Sequence, residues 1–178
     1  MRWPQSIYVR MNPVQAKGLL EIAEGCIDEQ VEIAEFPEYG TKLNARQQIR
    51  LDAIAALIVR SHDTQSQVAG IVIVGHADRA LRIPANERAA KEQEVSVKRA
   101  VDAQEMLVNK LENLPGGQRV LAMVHMLAIG KGSKELKHPN PKNYQEMIEN
   151  RRVVFKWSRC HTPTPRIIHP KLEFPRPD

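Results

Sequence analysis

The segment IVIVGHADRALRIPANERAAKEQEVSVKRA, residues 71–100, holds two side chains of opposite charge whose types could do chemistry together. Asp78 follows a glycine at the end of an apolar run, and Arg99 lies in the amphipathic stretch that comes next. A carboxylate accepts hydrogen bonds from an ammonium and neutralises it. A guanidinium grips a carboxylate through two parallel bonds that lysine cannot reproduce. An acid and an arginine brought close together therefore form a reader for a zwitterion. The same residues have plainer uses. Asp is common as a turn cap, and Arg99 also fits as an exposed helix residue or as the direct partner of Asp78. His76 reads as a structural hydrogen-bonding residue, because no second metal ligand is suitably spaced on its strand.

Other chemistry finds little support. Cys160-His161, His125 and His138 lack the spacing of a nucleophile–base pair or a metal site, and G-x-S-x-G, H-E-x-x-H and phosphate-loop motifs are missing. Catalysis, a cofactor and a bound metal are not expected. Neither Cys26 nor Cys160 belongs to a C-x-x-C, so a structural zinc is not expected either. Two unpaired small hydrophobes or one disulfide both fit these cysteines, the disulfide only in an oxidising compartment.

The elements that must position Asp78 and Arg99 follow from hydrophobic periodicity. EQVEIAEF (29–36) reads as a short strand, with Val31 and Ile33 on one face and Ala34 and Phe36 on the other. TKLNARQQIRLDAIAALIVRS (41–61) repeats Leu43, Leu51, Ile54, Ala55 and Ile58 at helical spacing. The run Ile71–Val74 is continuously apolar, the pattern of a strand covered on both faces. A helix from about Glu87 to Glu112 carries Val97, Ala100, Val101, Leu107, Val108 and Leu111 on one stripe, which leaves Arg99 off that stripe and free to face a loop or ligand. LPGG ends it. QRVLAMVHMLAIG is a third strand, Asn140-Pro141 an N-cap with proline at the first helical position, and RRVVFKWS a last strand with Val153, Phe155 and Trp157 on one face.

The order β-α-β-α-β-(α)-β predicts an α/β (α+β) sandwich: one mixed sheet with helices packed on it. Residues 29–158 form the expected domain, preceded by an extension, 1–28, and followed by a proline-rich tail, 159–178, that reads as extended. The chain has 178 residues, a formal net charge of +5 and 4% aromatic residues, too few for a base-stacking platform. Lys and Arg are interleaved with Asp and Glu, so nucleic acid is not an expected partner. No apolar run reaches the roughly 20 residues of a membrane-spanning helix. The first residues lack the apolar core of a secretory signal. Taken alone, that leaves the chain in the cytoplasm; a segment upstream would supply an export route.

IVIVGHAD, then VSVKRA on a helix, then GKG, then NRRVVF resembles the OmpA-like domain, the peptidoglycan-binding module of outer-membrane and flagellar-motor proteins. The family pattern runs strand-G-H-T-D, L-S-x-x-R-A, G-x-G and N-R-R-V-x-F/I, and the resemblance covers roughly residues 29–158. It implies a non-catalytic module that anchors a cell-envelope protein by binding the diaminopimelate residue of the peptidoglycan stem peptide. It places the binding acid at Asp78 and the binding arginine at Arg99, with Arg151 and Arg152 in the late motif, one of which faces the site or a neighbouring carboxylate. Asn150 reads as a polar residue at a helix end. It further implies a periplasmic or outer-membrane location and allows a homodimer. Three departures stand out. The segment after Asp78, RALRIPANERAAKEQE, is longer and lacks the usual glycine. Glu92 stands where an asparagine is usual, unless Asn86 substitutes for it, and either repels a ligand carboxylate or pairs with Arg79, Arg82 or Arg88. GSKELKHPNPKNYQEMIE is also atypical. A divergent scaffold used for protein–protein or polyanion contact is the alternative expectation.

Overall fold

A computed structural model describes residues 26–64 and 66–161, and of Cys160 and His161 it describes the backbone. The expected extension up to residue 25 and the tail from residue 162 lie outside the described residues. The element order is β1 (Cys26–Ile33), α1 (Ala45–Ser61), β2 (Ser66–Gly75), α2 (Ala85–Glu112), α3 (Gly117–Leu121), β3 (His125–Gly130), α4 (Tyr144–Glu149) and β4 (Val153–His161). The strands form one mixed sheet in the order β1-β4-β2-β3. The pair β2–β3 is parallel and is bridged by α2, whereas β4 inserts between β1 and β2 and runs antiparallel to both. This is the expected single sheet with helices packed on it.

Strand alternation sorts the side chains. Ile33, Ile71, Ile73, Val153, Phe155 and Trp157 face α1 and α2 and join Leu51, Ile54, Ala55, Ile58, Leu107 and Leu111 in one buried core. Helix α1 presents its expected stripe to that core, and Asn44 caps it reciprocally with Gln47. At the C-terminal ends of β2 and β3, α2 lies almost on the sheet. A Cβ at Gly75 would stand 1.9 Å from the Ser96 carbonyl oxygen, and one at Gly130 would stand 2.5 Å from Val97 N. Gly132 has a φ of +55° and donates its N–H to Ser96 Oγ at 2.8 Å. The GKG sequence thus serves close packing and a turn.

Four local expectations are corrected. β1 begins at Cys26 and ends at Ile33, because Glu35 takes a φ of 70°, which breaks the ladder and swings Phe36 into the core with Val31 and Ile33 rather than to the opposite face. The stretch expected as a third strand is divided, with α3 up to Leu121 and β3 only from His125. Asn143, not Asn140, caps the short fourth helix, accepting from Glu146 N at 2.9 Å. The buried stripe of α2 is Glu92, Val95, Ser96, Arg99, Ala100, Ala103, Leu107 and Leu111, while Val97 is exposed. The expected stripe was rotated, and Arg99 lies inside the buried one.

Cys26 is disulfide-bonded and stands opposite Cys160, the only other cysteine of the sequence, in the β1–β4 register.

Candidate functional site

Asp78 lies just beyond the C-terminal end of β2, and its side chain is 7% exposed. Its Oδ1 accepts from Asn150 Nδ2 at 3.0 Å, and its Oδ2 is 3.8 Å from Arg151 Nη2. Asn150, the C-cap of α4, is fully buried and works in three directions. Besides Asp78, it accepts from His138 N at 2.8 Å and donates to His138 O at 3.0 Å. Its expected place at a helix end holds. Its role in fixing the Asp78 carboxylate and the chain at His138 was not legible in the sequence.

Arg99 is fully buried. Its Nε donates to Gly40 O at 2.8 Å, Nη1 to His76 O at 2.8 Å, and Nη2 to Pro37 O at 2.7 Å and Glu38 O at 3.2 Å. The guanidinium also lies over the Phe36 ring, 5.3 Å from its centroid. Burial, and then the charge of Arg151, pull its pKa down to about 10, opposed by Asp78. It remains a cation at neutral pH. Arg99 therefore does face a loop, the one after β1, and holds its turn by backbone carbonyls.

The two consecutive arginines part company just before β4, in the sense that its alternation continues. Arg151 turns toward the helices, beside Asp78, with its guanidinium 5.9 Å from the Tyr144 ring centroid. Its Nε is buried and has no partner. Arg152 turns to the other face, 3.3 Å from Glu32 and donating to Glu135 O at 2.9 Å. The structure thus brings Asp78, Arg99 and Arg151 together and sends Arg152 elsewhere. Two guanidiniums beside one carboxylate leave a local excess of positive charge.

Glu92 contacts none of the three arginines considered for it. It accepts from Ala80 N at 2.7 Å and from Ser133 Oγ, tying the loop after β2 and the turn after β3 to α2. Arg88 instead donates to Ile83 O and Leu81 O, Arg82 pairs with Glu38 at 3.5 Å, and Arg79 is exposed. The long segment after Asp78 is therefore held by its own carbonyls and by Glu92, not by a glycine turn.

His76 is buried on the open side of the sheet, and its Nδ1 has no partner. Its backbone N–H donates to Arg152 O at 2.8 Å and its carbonyl accepts from Arg99, main-chain bonds that do not involve the imidazole. Desolvation, then Arg152, Lys156 and Lys131, outweigh Glu135 and depress its pKa from 6.5 to about 4. The unfolded chain binds this proton near pH 6.5 and the native ring refuses it until about pH 4. Stability should thus fall as pH drops through that window, by on the order of 3 kcal/mol in total. Urea titrations at a series of pH values should show this slope in the wild type and its loss in His76→Gln. An unchanged slope in the variant would assign it to another group.

Among the described residues, no group of three or more His, Cys, Asp or Glu side chains could hold a metal ion. No helix among them is long and apolar enough to cross a membrane.

With this geometry in view, the fold is that of OmpA-like domains. The OmpA-like domain of FopA1 from Francisella tularensis matches with a TM-score of 0.52 and 14% identity, over 78% of this chain and 77% of that one. The periplasmic domain of Helicobacter pylori MotB (residues 97–256) matches with a TM-score of 0.50 and 16% identity, over 76% and 84%. A MotB-like protein from Desulfovibrio vulgaris matches with a TM-score of 0.50 and 17% identity, over 86% and 91%. No protein-family model and no curated protein matches the sequence.

Proposed function

We propose that this chain is a non-catalytic module that binds peptidoglycan in the cell envelope by recognising the zwitterionic end of a diaminopimelate stem peptide. The observation that carries this reading is the buried Asp78 carboxylate beside Arg151, with Arg99 behind them, at the end of β2 in an OmpA-like fold. Asp78 receives the ligand ammonium. Arg151, with an unpartnered Nε, receives the carboxylate. Arg99 acts as a positioning residue, because its donors already hold the carbonyls of residues 37, 38, 40 and 76. Arg152 braces the opposite face. The disulfide-bonded Cys26 fits an oxidising compartment such as the periplasm. The domain spans roughly residues 29–158, with β1 and β4 extending slightly beyond it on either side.

One observation favours a second reading. Asp78 is already engaged by Asn150 and Arg151, so its carboxylate has partners within the chain. A scaffold that keeps this cluster for stability and binds another protein or a polyanion would look the same.

Retention on purified diaminopimelate-type sacculi separates the two. Wild type should be retained, and Asp78→Asn and Arg151→Gln should each lose retention at least tenfold while still folded, since each leaves one ligand charge unpaired. Absence of wild-type retention, or retention indifferent to both changes, would exclude the zwitterion reader.

A further inference from the structure

We propose that Tyr39 and Tyr144 form an aromatic rim over the Asp78–Arg151 pair and contact the aliphatic stem on which the recognised zwitterion is carried. The inference rests on the peptidoglycan reading and adds to it the residues that would select a long-stemmed amino acid.

The first argument is the placement of aromatic side chains in a chain that has few. Among the described residues these are Phe36, Tyr39, Tyr144, Phe155 and Trp157. Phe36, Phe155 and Trp157 are in the core, whereas Tyr39 is 39% and Tyr144 69% exposed. Both exposed rings lie around Arg151. Tyr144 is stacked near its guanidinium at 5.9 Å, and Tyr39 lies on the loop whose Phe36 N donates to Arg151 O at 3.2 Å.

The second argument is that packing does not account for Tyr144. Helix α4 buries none of its residues, yet its first residue is a large ring left open to solvent beside a buried charge. The third is that Tyr39 is held in place. It sits in the turn whose carbonyls at Pro37, Glu38 and Gly40 Arg99 grips, and Phe36 N donates to Arg151 O at 3.2 Å. One arginine thus fixes the loop bearing Tyr39, while the other lies beneath Tyr144.

The chemistry then separates ligands. A zwitterionic head reaches Asp78 and Arg151, and the methylene groups behind it lie against the ring faces, which bury apolar surface at little entropic cost. A zwitterion without a stem, such as glycine, satisfies the charges and leaves the rings bare.

The test is competition for sacculus binding. Free meso-diaminopimelate should displace the wild-type protein and glycine should not. Tyr39→Ala and Tyr144→Ala should each weaken retention about fivefold, the loss expected for roughly 1 kcal/mol of aromatic contact. Tyr144→Phe should bind like wild type. Sacculus fragments should also protect both tyrosines of the unaltered protein from nitration, a readout that no loss of folding in a variant can imitate. If the alanine variants bind as wild type does and nitration is unaffected, the rim is overturned and the charge reader stands. If wild type is not retained at all, the reading beneath it falls as well.

Discussion

Arg99→Ala should destabilise the fold by about 4 kcal/mol, the range in which removing one member of a buried charged network usually falls. The substitution removes the donors to Gly40 O, His76 O, Pro37 O and Glu38 O together. Each carbonyl so stranded retains its desolvation cost without its hydrogen bond. It also leaves a void where the largest fully buried side chain among the described residues stood, against the Phe36 ring. Arg99→Lys should recover less than half of the loss. An ammonium is a point donor on a flexible stem and cannot span carbonyls that a planar fork reaches from three nitrogens. Urea unfolding of the three proteins checks the order. A loss below about 1 kcal/mol for the alanine variant would mean that water replaces the guanidinium at little cost and that the loop after β1 is not anchored there.

A mutation at this position needs care in any binding assay. Loss of sacculus retention in Arg99→Ala would follow equally from a lost ligand contact and from a loosened loop. Asp78→Asn and Arg151→Gln ask the binding question more directly, provided their folding is checked.

Gly75→Ala should cost about 3 kcal/mol or more, at the upper end of what overpacking does. Its Cβ would stand 1.9 Å from the Ser96 carbonyl oxygen and 3.1 Å from Ala100 N, both helix backbone that no side-chain rotation can move aside. Gly75 is tied on both sides of the sheet, to Gly130 in β3 and Val153 in β4, so β2 cannot yield either. Helix α2 would have to lift away. That motion stretches the Gly132 N–Ser96 Oγ bond and draws Arg99 from its carbonyls. Gly70→Ala in the same strand is the control, because its nearest contact is His125 O at an ordinary 3.6 Å, and it should shift stability by less than about 1 kcal/mol. Equal melting points for the two variants would show that α2 has slack the close contact denies.

Much of the fold was legible in the sequence because it depends on local pattern. The apolar run before Gly75 set β2, the repeat of Leu51, Ile54, Ala55 and Ile58 set α1, and Val153, Phe155 and Trp157 declared the inner face of β4. The order of elements then restricted the topology to a sheet with helices packed on it. Motif order placed Asp78 at the end of β2 and put Arg99 on the following helix.

What periodicity could not give was the phase of α2 where a charged residue belongs to the buried stripe. A rule that assigns apolar side chains to the core puts arginine outside it. Here the surroundings of Arg99 are backbone carbonyls from residues far away in sequence, and these make its burial favourable. The same limit applies to Glu92, whose partners Ala80 N and Ser133 Oγ come from two separate loops. It applies again to Arg151 and Arg152, identical in type and sent to opposite sides just before β4. The sequence by itself determined the four strands, the two long helices, their order and the presence of an acid and arginines near one sheet end. Only the tertiary structure decided which arginine meets the acid and which supports the loop, because hydrogen bonds to distant backbone leave no periodic trace in the chain.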